Sequence, residues 1–501
     1  MPVADMKKTK NTRLPHPLVA LIPVVVLIAF LGTAINLFGS DSLSGGSQIA
    51  LIFGACVCIA LSMGIYRVPW KTFEERFAKT ISNIAIMIII LLAVGMLSGS
   101  WMISGVVPTI IYYGIQIISP QFFLVCACVI SALVSVLSGS SWTTIATIGV
   151  ALLGISEALG ISTAWTAGAI ISGAYFGDKM SPLSDTTILA SSVTGTDLFK
   201  HIRYMMYTTV PTLIITITIF LIAGLGNDAG RNLQVTEYME GLNSTFNISL
   251  WTLLVPIITG VLIARRVPSV ITLFASAIMG GITALILQPH ILHQIADTNE
   301  LSSSMSLLKG LAITFYGSTA IDTGNAALND LISTGGMAGM LNTIWLIICA
   351  MCFGSSMVAS GMIKSLTRVI VRMAHNRFSL VGTTACSGLF LNITTGDQFI
   401  SIVLTADMFR DAYRQQGYES RLLSRTTEDV ATVTSVLIPW STCGMTQAAV
   451  LGVPTIVYLP YCFFNLISPL MTLLMAAIGW KIYRNGDVKE CASESLAVGE
   501  S

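Results

Sequence analysis

From Leu18 to Phe38 the chain carries no charged side chain, and stretches of this kind recur at Ile81 to Ser104, Met205 to Ala223, Val267 to Leu287, Gly339 to Ser360 and Thr455 to Trp480. A helix needs ~20 apolar residues to cross ~30 Å of hydrocarbon, and each run is of that length. So many runs exclude a single-pass receptor or a tail-anchored domain. Composition agrees: 54% of the 501 residues are hydrophobic and 10% charged, where a soluble domain has ~25% charged. The net charge of +1 gives no electrostatic reason to expect a nucleic-acid partner. Cys56, Cys58, Cys126, Cys128, Cys349 and Cys352 lie within apolar runs, where thiols act as small hydrophobes. Lys7, Lys8, Lys10 and Arg13 precede the first run as in a signal peptide, but the run is long and no A-x-A site follows, so it reads as a retained span.

Lys and Arg in short loops stay cytoplasmic, and this orients the spans. The basic tail 1–17 is placed inside, and Arg67, Lys71, Arg76 and Lys79 mark an inner-surface helix before the span from Ile81. Two pairs of apolar stretches are too short to cross. Phe122 to Leu137 and Thr143 to Ser156 flank the tip Ser138-Gly139-Ser140-Ser141-Trp142, with no basic residue at either end. Leu380 to Asn392 and Phe399 to Phe409 flank Thr394-Thr395-Gly396-Asp397-Gln398, with Arg377 before and Arg410, Arg414, Arg421 and Arg425 after. Both read as re-entrant hairpins, the first entering from outside and the second from inside. Ser162 to Val193 is a span interrupted at Gly177 to Asp185, and Glu428 onward is a span interrupted at Pro439 to Gly444.

The expected fold is thus an all-α polytopic membrane protein with about ten full spans. It is an inverted-topology repeat with two re-entrant hairpins and two broken transmembrane helices. The first repeat occupies 18–223, an external linker poor in Lys and Arg 224–249, the second repeat 250–480, and a cytoplasmic tail 481–501. Such repeats mark secondary transporters, whose broken helices bind cargo near the midplane.

Ionised groups within a span are costly, so Asp178, Lys179 and Asp185 require a function or a mutual partner. One reading is a buried ionic staple, another a surface loop. The third is a cation site: Gly177 and Pro182 interrupt the helix and free carbonyls, and Ser181, Ser184, Thr186 and Thr187 add hydroxyls, the oxygen-rich set that a hard cation such as Na⁺ takes. A carboxylate out of water favours its protonated form, which lets H⁺ and Na⁺ compete for it. Lys179 is expected to tune that competition by favouring the charged form of a nearby Asp. Ser140, Ser141 and Thr143 at the first tip and Ser441 and Thr442 at the second break supply further neutral oxygens. Asp397 is either a ligand or a helix cap.

The run Gly177-Asp178-Lys179-Met180-Ser181-Pro182-Leu183-Ser184-Asp185-Thr186-Thr187, with the hydroxyl-rich tip before it, resembles the signature region of NhaC-type sodium/proton antiporters of the ion transporter superfamily. The resemblance implies a multi-pass protein of the bacterial inner membrane, with both termini cytoplasmic. It also implies a homodimer, and Na⁺ and H⁺ as transported ions with no cofactor. Relatives similar to the malate/lactate sodium antiporter leave open a small organic anion or amino acid as cargo. An enzyme is disfavoured. An intramembrane aspartyl protease resembles G-x-G-D on one span and Y-D on another, whereas Asp178 lacks the first Gly and Asp185 shares its segment. No P-loop is present, which argues against an ATP-driven pump.

Overall fold

A computed structural model describes residues 14–38, 45–226, 233–297, 302–321, 329 and 332–484. Lys7, Lys8, Lys10 and Arg13, residues 41–44 and 227–232 of the two expected outer loops, and the tail from 485 onward lie outside the described residues. Among the described residues the regular structure is helical, with two isolated β-bridges, Thr319 to Thr334 and Tyr418 to Arg484. Among the described residues eight helices are long and apolar enough to cross a membrane, or up to ten if each sharply bent pair is one span. Their outer faces are apolar: in Pro17–Phe38, Leu18, Val25 and Ile28 are all more than half exposed. In water such a surface would associate; in a bilayer it meets lipid.

Several elements differ from the sequence expectation for identifiable reasons. The inner-surface helix and the following span are one continuous helix, Trp70–Ile103. Nothing between Trp70 and Val94 breaks a helix, since the first Gly is Gly95 and no Pro occurs. The linker contains a helix, Leu233–Thr245, whose last turns, from Tyr238, lie at 89° to the apolar helix Leu250–Ala264 that follows. The closing span is broken into Thr455–Tyr458, a 3-10 turn at Leu459–Tyr461 and Phe463–Ile478.

The helices expected as hairpin arms are longer than expected, and both of the first pair are long and apolar enough to cross a membrane. Pro120–Ser138 has 19 residues and Ser141–Ala158 has 18; Arg377–Thr395 has 19 and Gln398–Gln415 has 18. At 1.5 Å per residue each arm reaches ~27 Å. Each first arm ends on a glycine in the left-handed conformation, Gly139 at φ 71° and Gly396 at φ 66°, which a residue with a Cβ adopts at a cost. The next residue caps the second arm: the Ser140 side chain accepts from the Thr143 N–H at 3.2 Å, and Asp397 Oδ1 from the Ile400 N–H at 2.8 Å. The two tips are therefore the same turn built with different caps.

The first arm lies against the interrupted helix Thr163–Met180 rather than against its own second arm. Contact is close because Gly173 faces the Cys128 carbonyl, where a Cβ would overlap it. Ser135 on the arm donates a 2.6 Å hydrogen bond to the Ala174 carbonyl. Ala127, Cys128, Ile170, Ile171, Ala174 and Tyr175 are all fully buried around this seam. Small residues that bring backbones together are a common means of helix association in membranes, where lipid removes the hydrophobic drive.

Candidate functional site

The helix Thr163–Met180 ends because Ser181 precedes Pro182 and takes an extended conformation, φ −81° and ψ 129°. A new helix begins at Asp185. The break leaves carbonyls without helical partners, and Thr187 takes up one of them by donating to the Asp178 carbonyl at 2.6 Å. The Asp178 side chain is buried and turned toward the first tip. Its Oδ1 accepts from the Ser141 N–H at 2.8 Å, and its Oδ2 accepts from the Ser141 hydroxyl. Tip and break are further locked together because a Cβ at Gly139 would collide with Leu183.

A cavity of about 540 Å³ opens beside this junction. Asp178, Asp185, Ser184 and Thr186 line it from the first break, Ser140 and Thr143 from the first tip, and Asp397 from the second tip. Asp397 thus serves both as cap of its own helix and as cavity wall. Asp185 is exposed, while Asp178 and Asp397 are buried. Among the described lining residues there is no Lys, Arg or His, so every charged residue of the lining is acidic. No group of three or more His, Cys, Asp or Glu among the described residues is placed to cage a metal ion. A cation held here would draw on hydroxyls and carbonyls as well as carboxylates, the oxygen set that hard cations take.

Other residues expected at the site stand elsewhere. Ser181 accepts from the Leu183 N–H at 3.2 Å and shapes the break. Ser441 caps the helix Thr442–Leu451, accepting from the Gly444 N–H at 3.0 Å and donating to the Ser435 carbonyl. The Thr442 N–H donates to the Gly396 carbonyl at 2.8 Å. The Thr442 N–H binds the second break to the second tip, as Ser141 and Asp178 bind the first break to the first. Ser181, Ser441 and Thr442 do not line the cavity.

Lys179 does not serve as the expected neighbour of Asp178 or Asp185. It points to the other half of the chain, where its Nζ meets Asp429 Oδ1 at 2.5 Å and donates to the Ser468 hydroxyl at 2.9 Å. Asp429 also accepts from Thr208 at 3.1 Å and Thr472 at 2.8 Å, and the Nε of Arg425 lies 4.0 Å from it. Lys179, Arg425 and Asp429 are all fully inaccessible. The guanidinium of Arg425 makes no hydrogen bond and stacks over the Tyr204 ring at 4.5 Å. In the sequence Arg425 belongs to a run of basic residues that points to the cytoplasm, and Asp429 stands in no motif. Absence of any Gly or Pro from Ser420 to Ile438 was the available signal, because a helix can then carry Arg425 and Asp429 inward on one face.

Helices long and apolar enough to cross a bilayer, around a carboxylate-bearing chamber lined by one interrupted segment and two turn tips, define a polytopic membrane transporter. Residues 173–480 match the Na⁺/H⁺ antiporter family, and the chain belongs to that family. It is 37% identical over 425 residues to the Na⁺/H⁺ antiporter NhaC of Alkalihalophilus pseudofirmus, covering 85% of this chain and 89% of that one. It is 34% identical to the arginine/ornithine antiporter ArcD of Halobacterium salinarum, over 95% of this chain and 94% of that one. It is also 34% identical to the malate-2H⁺/Na⁺-lactate antiporter of Bacillus subtilis, over 96% and 99%.

Proposed function

We propose that this protein exchanges Na⁺ for H⁺ across the bacterial plasma membrane, with both ions passing through the acidic cavity. The observation that carries this reading is the meeting of Asp178, Asp185 and Asp397 around one chamber without a cationic side chain among its described lining. Carboxylates from the first break and from the second tip give a cation a site that sliding one hairpin against the other would open and close. Membership of the Na⁺/H⁺ antiporter family and the likeness to NhaC support the choice of ions. In liposomes loaded with a pH dye, Na⁺ added alone should drive proton movement. A proton signal that needs an organic solute as well would overturn it.

A second reading is favoured by the volume. About 540 Å³ exceeds what a bare ion occupies and falls within the range of small-solute sites. Because the lining is acidic, an amine-bearing solute of the kind named for the arginine/ornithine relative suits it better than a dicarboxylate. The same liposomes supplied with ornithine or with malate distinguish the two cargoes.

The reading includes an inverted repeat with both termini in the cytoplasm. It is supported by the matching turns at Gly139 and Gly396 and by the bonding of each tip to the break of its own half. Asn243 and Gln415 are both exposed. Single cysteines at these positions, in a background without native Cys, should label from outside and inside respectively. Labelling of both from one side would remove the repeat.

A further inference from the structure

Glu428 opens the π-helical turn Glu428–Thr432 and is fully buried. Neither of its carboxylate oxygens takes part in a hydrogen bond. The hydroxyls of Thr186 and Thr432 stand beside it, but that of Thr186 is bonded to Ser184 at 3.0 Å and that of Thr432 makes no bond. Thr186 also lines the acidic cavity. One hydroxyl therefore separates an unpaired carboxylate from the chamber.

The surrounding charges do not account for it. Lys179 and Asp178 lie near enough to act on Glu428 electrostatically. Lys179, however, is engaged at 2.5 Å with Asp429, and Arg425 lies over Tyr204 with its Nε toward Asp429. With every group ionised, this buried set holds two positive charges, Lys179 and Arg425, against three negative ones, Asp178, Glu428 and Asp429. One charge remains uncompensated, and one monovalent cation would balance it. Leaving a carboxylate buried, ionised and unpaired is unfavourable, so Glu428 either carries a proton or holds a cation, the two states between which a cation/proton exchanger alternates. π-Turns inside helices occur often at functional positions, since the widened turn redirects side chains and backbone carbonyls.

We propose that Glu428 is a direct ligand of the transported cation, forming with Asp178 and the Thr186 and Thr432 hydroxyls an inner station behind the chamber. Asp185 and Asp397 then receive the ion on the open side, and Thr186 is shared by both stations. The interrupted helices of the two halves each contribute a carboxylate, so an ion at the inner station joins the halves. This rests on the cavity being a cation path.

The test compares the parent with Glu428→Gln and Glu428→Asp, purified in detergent, by the rise in unfolding temperature as Na⁺ is added in place of choline. Glu428→Gln should raise the Na⁺ concentration for half the effect by about tenfold or more, the loss of a charged ligand. Its unfolding temperature without Na⁺ should equal or exceed the parent's, because an unpaired buried charge has been removed. Glu428→Asp should fall between the two. An unchanged half-saturating Na⁺ concentration in either variant overturns the proposal, as does a fall in the Na⁺-free unfolding temperature of both variants, which marks a structural group. A parent that Na⁺ does not stabilise refutes the cation path itself, a different outcome from a stabilised parent matched by Glu428→Gln.

Discussion

Replacing Asp178 by Asn should abolish Na⁺-driven proton movement in protein that still inserts and folds. The substitution is nearly isosteric, and the amide oxygen can still accept the Ser141 N–H that Oδ1 accepts at 2.8 Å. The amide can also exchange a hydrogen bond with the Ser141 hydroxyl, so the junction between first tip and first break keeps its geometry. What disappears is the charge. Neutralising a buried carboxylate removes a desolvation cost, so stability should change by no more than ~1 kcal/mol in either direction. Transport should fall to the level of empty liposomes, because an amide neither releases a proton nor balances a cation. Dye-loaded liposomes give the rate, and size-exclusion profile with unfolding temperature gives the fold. Normal transport by Asp178→Asn would make the aspartate a structural link between hairpin and break. Lost transport with a much lowered unfolding temperature would assign it the same structural part.

Much of this site was readable from the chain because charge inside an apolar run has few innocent explanations. Asp178, Asp185, Ser184 and Thr186 belong to one such interruption, and all four line the cavity. The tips were readable too, since Ser138-Gly139-Ser140 and Thr395-Gly396-Asp397 put a glycine where a turn needs positive φ. Arm lengths were underestimated because hydropathy falls before the helix does. The second pair begins at Arg377 and ends at Gln415, with polar turns that lie outside the apolar window. Arg425, Glu428 and Asp429 were missed for the opposite reason. Charges next to Arg421 look like a cytoplasmic loop; the absence of a helix breaker as far as Ile438 allows them to run inward, and the tertiary placement of Lys179, Thr208 and Thr472 shows that they do. Pairing across hundreds of positions leaves no trace in local spacing.

The Lys179–Asp429 pair should behave as one unit when cut. It joins the first interrupted helix to the second through a fully buried contact, and removing one partner of such a pair costs ~3–5 kcal/mol because the other charge is stranded. The two cuts should differ in severity. Lys179→Met leaves Asp429 with the hydroxyls of Thr208 and Thr472 and with Arg425 at 4.0 Å, so the orphan is partly satisfied. Asp429→Leu strands two cations at once, Lys179 with Ser468 as its one remaining hydrogen-bond partner and Arg425 with no hydrogen bond of its own. Asp429→Leu should therefore be the more destabilising. The double variant Lys179→Met/Asp429→Leu should recover the part of the loss that comes from the stranded Lys179, while Arg425 stays without its carboxylate, so it should be more stable than Asp429→Leu but below the parent. Unfolding of the four proteins in mixed micelles with rising denaturing detergent closes the cycle, and the coupling should be at least ~2 kcal/mol. Additive losses, or equal losses from the two single changes, would show that Lys179 and Asp429 are held by their separate surroundings rather than by each other.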